Sequence, residues 1–487
     1  MQAFVDVVTK INGWVWALPL VILCLITGVY FTIRFKGVQF RSIGDMFRLL
    51  RNNTSEDGIS PFQAFATTVG SRVGMGNISG VATAIFFGGP GAVFWMWILA
   101  LIGAASAYAE TVLAQAYKDR EGGEYIGGPQ AFISKGLKLK PLAIAFAIAA
   151  VLGPGTLMPG LQVYSICSTF ENAFGLGQLL VGSICTVLIC AVVWGGIKRI
   201  GKVAELMAPV MCVIYLIMAI IVMGMHFTEL PAVFATIIKS AFGADQMFAG
   251  ILGATVSWGV KRGVYSNEAG QGSGAIVAAA AECDHPAQQG LVQALSIYID
   301  TILVCSASAM IILLTGNYNV QGADGSMIVE NVSTEYGILW AQDGVIQAFG
   351  SWGGKLLAIM IVLFVFTSLM GYYYQAESNM KFLFKGKKAG TWLMRIIFMV
   401  AVFSGAVVNG EVIWSMADLG VGLMAWFNLI GILWLSNKAA AICKDYDQQR
   451  KAGVDPLFDP AKFGIEDPTG AWSKQKALLE QREKGNK

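Results

Sequence analysis

The chain has 487 residues, of which 55% are hydrophobic and 13% are charged, and its formal net charge is +3. A soluble domain could not bury so large an apolar fraction, so the composition indicates a polytopic membrane protein. The small net charge, without a basic cluster interleaved with aromatic residues, excludes a nucleic-acid partner. The eight cysteines and two histidines show no paired spacing, which argues against disulfides and against a zinc or haem cofactor.

Apolar stretches of about 20 residues, the length needed to cross a bilayer, recur along the chain. They predict an all-α protein with about eleven transmembrane helices. The predicted spans are 14–34, 61–86, 89–117, 141–172, 176–197, 203–225, 246–280, 287–315, 345–380, 391–409 and 413–437. The first apolar run is too long for a signal peptide, so we expect residues 1–50 to form an extra N-terminal transmembrane helix followed by a basic loop.

The apolar stretch 65–97 is interrupted at its centre by Gly70, Gly74, Gly76 and Gly80. Irregular backbone survives in a bilayer only where it is buried in protein or lines a polar cavity, because unpaired backbone groups are costly in hydrocarbon. A half-helix that begins here would offer free N–H groups and the positive end of a dipole to a carboxylate. The sequence therefore predicts a substrate site at this break, with close helix packing by small residues as the alternative.

A second apolar stretch, 251–281, is interrupted at Gly270 and Gly272. Two broken helices at matching places in two halves of a chain are typical of secondary transporters built from inverted repeats. We therefore predict a first five-helix repeat over residues 61–226 and a second over residues 245–437.

Polar side chains surround the second break, and each of them would be costly if it faced lipid. Asn267 and Ser273 are neutral oxygen-bearing residues, which makes them candidates for contact with the substrate or with sodium. The charged residues nearby either contact the ligand or pair with one another as a structural lock, since charges within a membrane pair by default. These residues are Arg72, Lys261, Arg262 and Glu268.

Two adjacent hydroxyls, those of Thr367 and Ser368, interrupt an otherwise apolar helix. Sodium prefers hard oxygen ligands, and hydroxyls and carbonyls suffice for a monovalent ion that must also leave. Such a pair more often bonds to carbonyls of its own helix, but beside an unwound helix it is a candidate sodium site. Trp258 and Tyr372 are candidates for the walls or gates of the pocket, although most aromatic residues are expected at the membrane interfaces.

The positions of Lys and Arg predict the orientation, because basic loops are retained in the cytoplasm. Loops rich in Lys and Arg alternate with loops that have few, and residues 316–343 include none. This pattern places the N-terminus outside and the tail, 438–487, in the cytoplasm. The tail is polar and contains three prolines, so we expect a partly helical, loosely ordered extension.

Four long motifs occur along the chain, and a family resemblance rests on them. In chain order they are SRVGMGNISGVATAIFFGGPGAVFWMW, GGPQAF, WGGIKRIGKVAELMAP and GVKRGVYSNEAGQGSGAI. They resemble the alanine or glycine:cation symporter family, and the likeness spans about residues 10–440. The resemblance implies a sodium-coupled amino-acid symporter of the bacterial inner membrane. It also implies a leucine-transporter-like fold, a 5+5 inverted repeat with one extra N-terminal helix.

The resemblance extends to individual residues at the two breaks. The G-x-G-N run of the first core helix in this fold matches Gly74, Met75, Gly76 and Asn77. By that match, main-chain amides near Met75 and Gly76 would hold the substrate carboxylate. The match also implies a sodium site, whose ligands would be Thr367, Ser368 and the carbonyls of Gly70 and Val73. The chain departs from the family near the expected pocket, at residues 271–275 and at Tyr372, where the family often has Trp.

These observations predict uptake of alanine or glycine with sodium by alternating access. No enzyme activity is expected, because the sequence offers no nucleophile, base or metal constellation within the membrane. Sodium is the predicted coupling ion, without another cofactor. The predicted partners are the amino acid, sodium and membrane lipid, with no obligatory protein partner. The alternatives are the same mechanism with D-alanine, serine or glutamine, and an amino-acid or ion channel.

Overall fold

The computed structural model describes residues 2–51, 55–408 and 410–485. Its N-terminal part is a pair of helices separated at Trp16 and Ala17. Pro19 fits the first turn of the second helix, where no backbone donor is needed. Two short helices follow on the side of the molecule that carries the loops rich in Lys and Arg, which we call the basic face. These elements are α1 (Gln2–Val15), α2 (Leu18–Arg34), α3 (Val38–Arg41) and α4 (Ile43–Leu49).

The first broken helix opens the next part of the chain, and a hairpin of two strands lies on the basic face. A π-helix, Gly153–Leu157, joins two of the helices into one long span. The elements are α5 (Pro61–Arg72), α6 (Met75–Gly88), α7 (Gly91–Ala116), β1 (Asp119–Glu121), β2 (Glu124–Ile126), α8 (Pro129–Gly136), α9 (Lys140–Leu152), α10 (Pro159–Phe174), α11 (Gln178–Val193), α12 (Gly196–Met225) and α13 (Leu230–Ala241).

The second broken helix opens the remaining part, in which a second π-helix, Tyr298–Cys305, again joins two helices. A short antiparallel hairpin with a bulge lies between the halves of a long connection. The elements are α14 (Leu252–Asn267), α15 (Ser273–Ala279), α16 (Pro286–Ile297), α17 (Ser306–Leu314), β3 (Asn319–Gln321), β4 (Met327–Glu330), α18 (Ile338–Phe349), α19 (Ser351–Leu383), α20 (Lys388–Ser404), α21 (Gly410–Trp434), α22 (Ser436–Lys451) and α23 (Ser473–Gly485).

Seven helical stretches among the described residues, three of which join two consecutive helices, are long and apolar enough to cross a membrane. They are Val7–Arg34, Gly91–Ala116, Lys140–Phe174, Gly196–Met225, Pro286–Leu314, Ser351–Leu383 and Val412–Trp434. With the two broken helices and the shorter helices α11 and α20, they account for the eleven predicted spans. The protein is therefore an all-α, multi-pass membrane protein.

The unbroken helix α19 lies at the centre of the bundle and packs against α5, α9, α10, α12, α18 and α20. Its middle and its end at the basic face are almost continuously buried. By contrast, α11 and α12 expose large apolar side chains such as Val187, Leu206 and Ile220. Apolar side chains exposed along whole helices are what contact with lipid requires. A rigid central helix thus faces both broken helices, while the peripheral helices meet the bilayer.

The tail differs from the loosely ordered extension that the sequence predicts. It contains α22 and α23, and the segment between them returns to the basic face with Phe458 and Trp472 buried. The reason for the difference is that these apolar residues lie in irregular backbone, without the helical or strand period by which a buried face is recognised in a sequence.

Candidate substrate and sodium site

The first break lies where the glycines predict it, between Arg72 and Met75. Val73 leaves the helix with ψ 88°, and Gly74, with φ −147° and ψ −142°, is not helical either. The side chain of Asn77 caps the second half-helix, because its Oδ1 accepts from the Gly74 N–H at 2.9 Å. The run Gly74–Asn77 is therefore the N-terminus of a buried half-helix, the arrangement that suits an anion.

The second break lies between α14 and α15. Glu268, Gly270 and Gly272 have φ values of +56°, +79° and +85°, and glycine is the residue that adopts such angles without strain. Asn267 stabilises the break through its side-chain amide, which accepts from Ala269 N at 3.0 Å and donates to Thr301 Oγ1 at 3.1 Å. Asn267 therefore shapes the unwound backbone itself.

The two breaks meet at a buried carboxylate, that of Asp300 in the second π-helix. Asp300 Oδ1 accepts from Asn77 Nδ2 at 2.7 Å, and Oδ2 accepts from Ser266 Oγ at 2.9 Å and from Thr301 Oγ1 at 2.8 Å. A Cβ on Gly76 would lie 3.0 Å from Ser266 Cα, so the backbones approach closely. Asp300 thus links the first half-helix to the end of α14.

Gln162 and Tyr372 close another side of the first break. Gln162 Oε1 lies 3.4 Å from the Met75 N–H, and its Nε2 donates to the Tyr372 hydroxyl at 3.2 Å. Both side chains are buried. The structure therefore brings Tyr372, which the sequence singled out, to the Gly74–Asn77 run through an intermediary that the sequence analysis missed.

A third group, missed by the sequence analysis, supports the second break from behind. Asn428 Nδ2 donates to the Gly270 carbonyl at 2.8 Å and to Glu110 Oε2 at 2.7 Å. Glu110 and Asn428 are fully buried on α7 and α21. An isolated polar residue within an apolar span is the signal that could have found Asp300, Gln162 and Glu110, because such residues are rarely placed in a membrane without a function.

The residues proposed for sodium lie beside the first break. Ser368 Oγ donates to the Gly70 carbonyl at 3.1 Å, and Thr367 Oγ1 donates to carbonyls of its own helix. A Cβ on Gly70 would lie 2.8 Å from Thr367 Cβ. The structure brings Gly70, Thr367 and Ser368 together, and Val73 directly follows the last turn of α5. The site offers hydroxyl and carbonyl oxygens, the donor type that sodium prefers.

The structure places the remaining two predicted residues away from the start of α6. Trp258 stacks on Phe87 with a centroid separation of 4.4 Å, near the end of α6. There it lines a cavity of about 390 Å³ that opens away from the basic face. Ser273 is buried at the start of α15, whose next residue, Gly274, packs against Arg72. Trp258 and Ser273 therefore flank the joined breaks on opposite sides.

The charged residues near the site are paired, as the lock interpretation requires. Arg72 Nε lies 3.9 Å from Glu268 Oε2, and Arg72 Nη1 also donates to the Ser296 hydroxyl. Lys261 Nζ lies 2.7 Å from Asp418 Oδ2, and Arg262 pairs with the same oxygen. Asp418 therefore shares one carboxylate between the buried Arg262 and the partly exposed Lys261.

Replacing that shared carboxylate, Asp418→Asn, should lower the free energy of unfolding by about 3–5 kcal/mol, because Arg262 would remain buried, and Lys261 mostly buried, without this counter-charge. Thermal denaturation of the purified protein measures this effect. Glu229→Gln is the matched control, since Glu229 is largely exposed and pairs with His226. Equal melting temperatures for Asp418→Asn and the unmodified protein would show that the cluster does not stabilise the fold.

Comparison with known proteins identifies the family. The model of the sodium:alanine symporter family matches residues 1–460. A putative sodium/proton-dependent alanine carrier protein of Bacillus subtilis, YrbD, is 44% identical over 475 residues, which cover 96% of this chain and 98% of that protein. The chain belongs to the sodium:alanine symporter family. It is therefore a secondary active, sodium-coupled symporter, and its family is one of carriers and not of enzymes.

Two further similarities define how far the family assignment reaches. The probable sodium/glutamine symporter GlnT of Bacillus subtilis is 41% identical over 462 residues, covering 94% of both chains. The crystal structure of MhsT in complex with L-phenylalanine has a TM-score of 0.54 and 14% identity, and covers 80% of this chain and 99% of that one. The similarity to MhsT shows that the chain has the expected leucine-transporter-like fold.

Proposed function

We propose that the protein takes up a small neutral amino acid, alanine or glycine, together with sodium by alternating access. The observation that carries the proposal is the junction of the two breaks, in which Asn77 and Ser266 share the Asp300 carboxylate. The Gly74–Asn77 half-helix would receive the substrate carboxylate at this junction. The close approach of Gly76 to Ser266 supports a substrate with a small side chain.

The sodium ion would bind between Gly70 and Val73 of the first broken helix and Thr367 and Ser368 of α19. An ion in that position would tie the movable half-helix α5 to the central helix. Its binding would then favour the conformation in which the substrate site is formed, which is the coupling that symport requires.

The test is uptake into proteoliposomes with a panel of labelled amino acids, with and without an inward sodium gradient. We expect alanine and glycine to accumulate above their external concentration only when sodium is supplied. D-alanine, serine and glutamine belong in the panel, since one relative is named as a glutamine symporter. Flux that never exceeds equilibration, with or without the gradient, would indicate a channel.

We further propose that the basic face is cytoplasmic, with the N-terminus outside, in the bacterial inner membrane. Residues 61–226 and 245–437 would then be the two inverted repeats. Because Lys and Arg are retained in the cytoplasm, a cysteine at Asp324 should react with an impermeant thiol reagent added to spheroplasts. A cysteine at Lys387 should be protected until the membrane is opened. The reverse pattern of labelling would contradict this orientation.

A further inference from the structure

The tail folds back onto the basic face and covers the ends of both broken helices. Residues 452–472 run from α22 to α23, and Phe458 and Trp472 within them are fully buried, with ring centroids 4.8 Å apart. The family model ends at residue 460, so Trp472 and α23 lie beyond the matched range. We call residues 452–485 the strap.

Beneath the strap, the two broken helices are joined to each other at the basic face. Ile59, just before α5, pairs with Ala281, just after α15, as an isolated parallel bridge. The Glu282 carboxylate accepts from the backbone N–H groups of Glu56 and Asp57 at 2.6 and 3.2 Å. The inner half-helices α5 and α15 are therefore closed against one another below the site.

The strap holds this junction from both sides by charge. Lys474 Nζ lies 2.6 Å from Glu56 Oε2 and 2.8 Å from Glu282 Oε1, so one ammonium group bridges the start of the first broken helix and the end of the second. Burial alone would raise the pKa of Glu282, but hydrogen bonds from Lys474 and the two backbone N–H groups lower it. Glu282 is therefore charged at neutral pH and available to Lys474.

The strap also holds the end of α15 through a buried lysine. Lys118 Nζ donates to the Ala281 carbonyl at 3.0 Å and lies between the rings of Tyr125 and Trp472, 4.0 and 4.5 Å from their centroids. The Phe458 N–H donates to the Asp284 carbonyl at 2.9 Å. Removing Trp472 would uncover Lys118 to water and weaken its hold on Ala281.

Above the junction, polar groups that water would satisfy are buried. Ser378 on α19 and Gln289 on α16 are buried without hydrogen-bond partners among the described residues. Ser378 shares a helix face with Gly371 and Gln375, which contact Ser71 of the first broken helix. If the inner half-helices separate, Ser378 and Gln289 are groups that water would then hydrate.

We infer that the strap is a latch on the inner gate, and that it must undock before α5 and α15 can separate and release the substrate. This inference rests on alternating access, the proposed mechanism. Its chemistry is local: Lys474 bridges Glu56 and Glu282, Trp472 covers Lys118, and the Phe458 N–H donates to the Asp284 carbonyl.

The first test measures accessibility of the inner route and needs no substrate. Full-length protein with Ser378→Cys is labelled in proteoliposomes with a small membrane-permeant thiol reagent. The labelling of each variant without Ser378→Cys is measured as the background. Adding Trp472→Ala should raise the labelling rate at least about tenfold, since a buried aromatic anchor is lost. Leu478→Ala, which removes an exposed apolar side chain from α23 of the strap, should leave the rate unchanged.

The second test locks the strap. Gln475 Nε2 donates to the Cys283 carbonyl at 3.3 Å, so a cleavable bifunctional thiol reagent is used to join Gln475→Cys to the native Cys283. Cross-linking verified by peptide mapping should reduce uptake at least about tenfold and slow Ser378→Cys labelling, with recovery after reduction. Lys476→Cys, exposed on the same helix, is the control.

The two tests have outcomes that overturn the latch. Unchanged labelling in Trp472→Ala would do so, as would full uptake by the cross-linked protein. Because labelling reports the gate and not the amino acid, a wrong substrate proposal would leave the first test intact, whereas a wrong latch would leave sodium-driven uptake intact.

Discussion

Replacing Thr367 and Ser368 together by alanine should raise the sodium concentration for half-maximal uptake about tenfold or more. Both side chains lie beside Gly70, and Ser368 donates to the Gly70 carbonyl. Removing a hydrogen-bonding or coordinating group from a charged partner costs about 1.5–3 kcal/mol, which corresponds to a factor of about 10 to 100 in affinity. Initial uptake rates over a range of sodium concentrations measure the effect.

A matched control distinguishes ion binding from a general disturbance of the bundle. Ser165 and Thr169 are buried hydroxyls on α10 that donate to carbonyls of their own helix. Their double alanine variant should keep the sodium dependence of the unmodified protein. If the two double variants respond to sodium alike, Thr367 and Ser368 are packing residues and the ion binds elsewhere.

Alaninamide and ethylamine should compete for alanine uptake about 10 to 100 times more weakly than alanine itself. The proposed partner of the carboxylate is the Gly74–Asn77 half-helix, and charge-assisted hydrogen bonds are about twice as strong as neutral ones. Competition against labelled alanine in proteoliposomes measures this loss. Equal competition by the amine and by alanine would remove the carboxylate from the mechanism.

A substitution at Gly76 provides the protein side of the same prediction. A Cβ there would lie 3.0 Å from Ser266 Cα and 3.1 Å from the Tyr265 ring, so Gly76→Leu would push the two breaks apart and should abolish uptake. Gly253→Leu is the control, because nothing lies within 4 Å of a Cβ at that position. Retention of uptake by Gly76→Leu would show that the breaks need not meet so closely.

The positions of the two breaks could be predicted from the sequence because their signal is local. Glycines and polar residues in the middle of an apolar span conflict with an ordinary membrane helix, whatever surrounds them. Thr367 and Ser368 stand out for the same reason. The pairing of Arg72 with Glu268 was left open, since a sequence lists charges without saying which of them face each other.

The same reasoning marks Asp300 and Gln162 as polar residues within apolar spans, but it could not predict which groups they contact across the two breaks. Asp300, Gln162 and Asn428 matter because of the helices that they face, and helix packing is a property of the whole bundle. The docking of the strap on the basic face could not be predicted for another reason. Trp472 and Phe458 are single buried aromatic residues in irregular backbone, and helical or strand periodicity in a sequence does not reveal such residues.

The two π-helices give the chain a property that composition does not capture. A π turn holds one residue more than the α-helix that it interrupts, and successive side chains along an α-helix differ in direction by about 100°. Gln162 follows the turn at Gly153–Leu157, and Asp300 lies within the turn at Tyr298–Cys305. Deleting one residue from the first turn would rotate Gln162 away from its partners, and deleting a neighbour of Asp300 from the second turn would rotate Asp300. In both cases the residue itself would still be present. The rotation of the helix about its axis therefore determines the binding site as much as the types of its side chains do.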